Sequence, residues 1–90
     1  MVLSTVRVED FDRFWATFST KGAEKRKQHG SGGSHVFRDP NDDSRVWVVF
    51  DMDEAAYQAL LNDPEMPPIF QEAGLLGRPE HAELVKEHEA

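Results

Sequence analysis

Ninety residues, 39% apolar and 30% charged, are enough for one domain (1–90) and fit neither a disordered tail nor a membrane protein. Ten Lys and Arg against seventeen Asp and Glu give a formal charge of −7, which opposes binding to bare nucleic acid or anionic membrane through a general positive field. The absence of cysteine excludes a disulfide scaffold, a thiolate nucleophile and a Cys-based zinc or iron–sulfur centre.

In chain order, Val2 to Val8 is short and β-branched (Val2, Thr5, Val6, Val8) and reads as a strand. It lacks the apolar core of a signal peptide, and no run approaches about 18 apolar residues, so the expectation is a cytoplasmic protein. Asp10 offers an N-cap oxygen, and Phe11, Phe14, Trp15 and Phe18 form the stripe of an amphipathic helix. That helix is expected to continue through Lys21, Lys25, Arg26 and Lys27, whose charges suit a helix C-terminus, and to stop at Gly30-Ser-Gly-Gly33.

Ser34 to Asp39 reads as a second strand, Pro40 to Ser44 as a turn, and Arg45 to Met52 as the strongest strand. Asp53 caps a further helix whose apolar side is Ala55, Ala56, Ala59, Leu60 and Leu61, closed by Pro64. Glu65 to Ala73 holds a shorter helix or turn with Met66, Ile69 and Phe70 inward, and Glu80 to Glu87 is a last strand. The order is α+β, ferredoxin-like βαββαβ: a four-stranded antiparallel sheet with helices on one face.

Helices cover only one face of such a sheet. Val46, Val48 and Phe50 point one way along the third strand, yet Trp47 and Val49 point the other, so both faces are apolar. Burying Trp47, Val49 and Leu3 at about 25 cal/mol per Å² is worth several kcal/mol, comparable with the stability of a small domain. A homodimer through the sheet face is therefore expected.

The chain also resembles the dimeric α+β barrels related to antibiotic biosynthesis monooxygenases and small polyketide-cyclase-like proteins. The resemblance rests on Asp10-Phe-Asp-Arg-Phe-Trp15 with Phe18, on Arg26, and on Val36-Phe-Arg-Asp-Pro-Asn-Asp42 leading into Arg45 to Asp51. Met66 and Ala73-Gly-Leu-Leu-Gly-Arg-Pro-Glu80 complete it. It implies a barrel closed by two sheets, with a pocket between sheet and helices in each subunit. Members include cofactor-independent oxygenases, cyclases, isomerases and haem-degrading enzymes. The last use a histidine on the second helical segment, and residues 53 to 73 contain none. The Asn and Trp that quinone-forming oxygenases set around a phenol are not placed on Asn41, Asn62, Trp15 or Trp47.

Candidate chemistry centres on the histidines, natural proton carriers near neutral pH. His35 shares a strand face with Phe37 and is the candidate acid/base, the alternative being a hairpin-edge or interface histidine. His29 is read as a solvated helix-end residue. Arg45 is the candidate stabiliser of enolate charge, and Phe37 and Trp47 the stacking wall. Phe14, Trp15, Phe18, Phe50, Ile69 and Phe70 are expected to make an aromatic interior. Any unfilled part would be an apolar pocket with Arg45, His35 or Tyr57 at its rim, and Trp15 and Tyr57 would join Phe37 and Trp47 in binding substrate.

Gly30 to Gly33 follows a helix rather than preceding one, the reverse of a phosphate loop. His81 and Glu83 supply two metal ligands where a stable site takes three or four. Phe37 and Trp47 offer ring area for RNA, but their acidic neighbours oppose it. The expected function is a small-molecule enzyme of the cofactor-independent monooxygenase or cyclase type, acting on a hydrophobic aromatic or polyketide-like ligand without metal or cofactor. The alternative is a non-catalytic dimeric ligand-binding or stress-response module.

Overall fold

Side-chain alternation in β1 (Val2–Arg7) and β3 (Arg45–Phe50) divides the molecule into two faces. The computed structural model describes residues 1–90 and pairs these strands antiparallel, Val2 opposite Phe50 through Arg7 opposite Arg45. β2 (Ser34–Arg38) flanks β3, and β4 (Glu80–Glu83) flanks β1, giving an antiparallel sheet of order β2-β3-β1-β4. Val2, Ser4, Val46, Val48 and Phe50 face the helices and are buried, whereas Leu3, Thr5, Trp47, Val49, His35 and Phe37 occupy the opposite face.

The helical layer starts at α1 (Phe11–Phe18), where the Asp10 carboxylate accepts from the Arg13 backbone N–H. A single helix through residue 29 was expected, but the chain breaks after Phe18 and restarts as α2 (Lys21–Gln28). The Ser19 hydroxyl donates to the Trp15 carbonyl at 2.7 Å and the Thr20 hydroxyl to the Ala16 carbonyl at 2.6 Å. These bonds compete with the helical ladder and let the axis turn.

Asp53 caps α3 (Glu54–Leu61), its carboxylate accepting from the Ala56 N–H at 2.7 Å. α4 (Met66–Glu72) follows, with Pro67 and Pro68 in its first turn, where their missing N–H groups need no partner. β4 is shorter than expected. The Leu84 N–H still reaches the Met1 carbonyl at 2.9 Å, one residue past the end of the strand.

The core joins Val2, Val8, Val46, Val48 and Phe50 of the sheet side to Phe14, Met52, Tyr57, Leu60, Leu61, Met66 and Ala73. Two expectations about it need correction. Trp15 is 47% exposed, because one residue past Phe14 turns the side chain about 100° around the helix, out of the core. Tyr57 is 2% exposed rather than at a rim, since Tyr57, Leu60 and Leu61 define the buried face of α3, and Ala55 and Ala59 lie outside. No helix is long and apolar enough to cross a membrane.

Candidate functional site

Two concave spaces meet at Phe18 and Arg26. The inner one lies between helices and sheet and has a volume of about 70 Å³. Its walls are hydrophobic side chains from α1, α3 and α4 and from Val6, Val48 and Phe50, α2 adds Gly22 and Arg26, and its polar side chains are Thr17, Arg26 and Tyr57. The outer one is an open groove of about 830 Å³ between α1–α2 and the edge strand β2, bordered by the Ser31–Gly33 loop. Phe18 and Arg26 line both.

Aromatic rings wall the groove. The Trp15 and Phe18 rings stack with centroids 5.9 Å apart and 23° between planes, and Phe37 is 54% exposed on the β2 side. Arg26 spans the boundary. Its guanidinium carbon lies 3.8 Å from the Phe18 ring centroid, and Nη2 donates to the Phe18 carbonyl at 3.0 Å. A Cβ at position 22 would stand 3.1 Å from Nη1, so Gly22 leaves the space the guanidinium fills. Burial pushes Arg26 down to about 10, which leaves it cationic at neutral pH.

The six residues singled out from sequence do not form one site. Trp15, His35 and Phe37 line the groove, His35 and Phe37 because β2 is an edge strand bordering both groove and open face. Tyr57 lines the inner cavity, its hydroxyl donating to Ser4 Oγ at 2.9 Å. Burial raises the Tyr57 pKa above its ordinary value, although the Ser4 hydrogen bond opposes the shift. Arg45 and Trp47 lie on the open sheet face and border neither space, contrary to their expected place at the pocket. Arg45 donates to Thr5 Oγ1 at 3.2 Å, and the Trp47 indole N–H to Asp39 Oδ2 at 3.1 Å. The Asn41 backbone N–H and then that indole hold the Asp39 carboxyl below its usual range.

Two other histidines have partners that the sequence pattern does not show. His29 is tied to Asp63 at 3.0 Å, so it is a half-buried brace rather than a solvated helix end. His81 lies 2.8 Å from Glu54 Oε1, with its ring 4.8 Å from that of Tyr57. No group of three or more His, Asp and Glu side chains is placed to hold a metal ion. Arg26, absent from the candidate site residues, looks in sequence like one of several charges meeting a helix dipole. Its signal is Phe18 eight residues earlier, which becomes a neighbour only once the helix breaks at Ser19.

This layered α+β architecture, with an apolar cavity under the helices and a bare sheet face, is the ferredoxin-like fold of the antibiotic biosynthesis monooxygenase-like proteins. SnoaB, a cofactor-independent oxygenase from Streptomyces nogalater, superposes with a TM-score of 0.69 at 18% identity, covering 98% of this chain and 92% of that one. An antibiotic biosynthesis monooxygenase matches with a TM-score of 0.65 at 13% identity over 97% of both chains. A protein from Pseudomonas aeruginosa matches at 0.60 and 14% identity over 94% and 92%. No family profile and no curated protein matches the sequence.

Proposed function

We propose that this protein is a cofactor-independent oxygenase of the monooxygenase or cyclase-like kind, acting on a hydrophobic aromatic substrate as a homodimer joined through the sheet face. The observation carrying this reading is the pairing of two spaces of different size. The groove, at about 830 Å³, falls within the usual range of small-molecule sites, roughly 300–1,000 Å³. The inner cavity, at about 70 Å³, is too small for an aromatic body but has room for a molecule the size of dioxygen. Apolar cavities of this sort stay dry and admit small apolar guests.

In this reading a phenol or enol lies between Trp15 and Phe37, and His35 removes its proton. The resulting carbanion reduces dioxygen and bonds to it. The hydroperoxide then loses water, so a CH₂ group and O₂ become C=O and H₂O. Trp47 and Arg45 act at the contact between two sheets rather than on the substrate. The fold shared with SnoaB, a cofactor-independent oxygenase, supports the assignment.

Oxygen uptake with anthrone and naphthol substrates, in the presence of a metal chelator, tests it. Quinone formation matched one-to-one by oxygen consumption is expected, with His35→Ala lowering kcat at little change in KM. Absence of both turnover and any ligand-induced rise in Tm over a broad aromatic panel overturns it in favour of the non-catalytic module.

A further inference from the structure

We propose that Arg26 and Ser34 form a recognition site for a carboxylate on a planar aromatic ligand, at the boundary between groove and inner cavity. The inference rests on the groove being a ligand site, as above, but not on turnover.

Charge arrangement is the first support. The chain carries seventeen acidic residues, yet none lines the groove, whose charged side chains are Arg26 and Lys27. Arg7, Arg13, Lys21 and Lys25 each have a carboxylate partner; of the six basic residues without one, only Arg26 and Arg45 are half-buried, and only Arg26 of these two lines the groove. Its only hydrogen-bond acceptor is the Phe18 carbonyl, so four of its five N–H donors have no protein partner. A guanidinium partly stripped of water and left without a counter-ion is poised for an anion from outside, and its planar fork matches a carboxylate bidentately.

The second support is independent. Ser34, which lines the groove, holds its Oγ buried with no hydrogen-bond partner, an unmatched donor directly beneath the groove wall. The third is shape: the stacked Trp15–Phe18 pair and exposed Phe37 give flat apolar walls. An aromatic body between those walls with its acid group towards Arg26 uses every one of these features. Burial of Arg26, which lowers its pKa without neutralising it, agrees with a site held empty of protein carboxylates.

Naphthoate and its methyl ester are the probes, with binding measured by calorimetry and amide chemical shifts on the full chain. Wild type is expected to bind naphthoate at least tenfold more tightly than the ester, with shifts centred on Ser31 to Gly33 and the Trp15 indole. Arg26→Gln should abolish the preference, Arg26→Lys should restore part of it, and Ser34→Ala should weaken acid binding several-fold. Removing an unpaired half-buried cation leaves no orphan carboxylate, and an unchanged Tm for Arg26→Gln checks that it is folded. Equal affinity of acid and ester for wild type, no binding of either, or an undiminished preference in Arg26→Gln overturns the site. An acid preference without oxygen uptake upholds it while the oxygenase reading falls. Oxygen uptake on neutral phenols without acid preference does the reverse.

Discussion

His81 Nε2 lies 2.8 Å from Glu54 Oε1, joining the edge strand β4 to the first turn of α3. Gln58 donates to the same oxygen at 3.0 Å, while Glu54 Oε2 is buried without a partner. The Gln58 amide and then His81 hold the Glu54 carboxyl below its ordinary value of 4.5. A carboxyl with a folded pKa below its unfolded one stabilises fully above the unfolded value and loses that stabilisation as pH falls through the folded one. Urea unfolding should therefore show a plateau above about pH 5 and a decline below pH 4. Glu54→Gln should flatten part of that decline, and an acid limb identical to wild type would remove Glu54 as its source.

Asp63 should govern a lower pH range. Its Oδ2 bonds to His29 at 3.0 Å and Lys25 at 3.1 Å, and its Oδ1 accepts the Glu65 backbone N–H at 2.9 Å. The His29 bond, the Glu65 N–H and the Lys25 bond depress its pKa more strongly than that of Glu54. Its contribution is complete above the ordinary aspartate value and persists to lower pH than the contribution from Glu54. Asp63→Asn should lower Tm by several degrees at neutral pH, with the gap to wild type closing in strong acid. A gap constant with pH would assign the loss to geometry rather than charge.

Tyr57 and Ser4 form a hydrogen bond inside the core, both side chains being almost inaccessible. Tyr57→Phe leaves Ser4 Oγ buried without its donor and should cost about 1–3 kcal/mol. Removing both partners should cost less than the sum of the single changes, because neither polar group is then orphaned. A double-mutant cycle with Ser4→Ala, read by urea unfolding, checks this. Strict additivity would show that the bond contributes nothing beyond packing.

Local pattern carried most of the architecture. Alternation in Val46 to Phe50 assigned both sheet faces, and Asp10 and Asp53 marked two helix starts, because each signal is confined to a few neighbouring residues. The break at Ser19–Thr20 was hidden, since the two hydroxyls act on carbonyls four residues back and leave the apolar stripe undisturbed. The site was less legible for a related reason. His35 and Phe37 meet Trp15 only because β2 is an edge strand beside α1, and Arg26 stands out only by being half-buried at the groove without a carboxylate partner. Neither relation has a sequence spacing. Arg45 and Trp47 share the open face with His35 and Phe37, but they stand on β3, one strand in from the edge, and so do not border the groove.

The open sheet face makes the last prediction. Val49 lies opposite Leu3 on one side and His35 on the other, with Trp47 and Phe37 paired beside it, so it is central to the uncovered face. Leu3 is 42% and Phe37 54% exposed in the single chain, a contiguous apolar surface of the kind that marks an interface. In a two-fold face-to-face dimer each Val49 is near the symmetry-related sheet, and Val49→Lys brings a charge into the contact from both copies. The desolvation of those charges, several kcal/mol each, is of the same order as the burial that holds the sheets together and opposes it directly. Sedimentation equilibrium at micromolar concentration should give a dimer for wild type and a monomer for Val49→Lys. The variant's fold should survive, because its helix-side core is untouched. A monomeric wild type would leave Trp47 and Arg45 in solvent, and the groove along β2 would then have to function without a second sheet beside it.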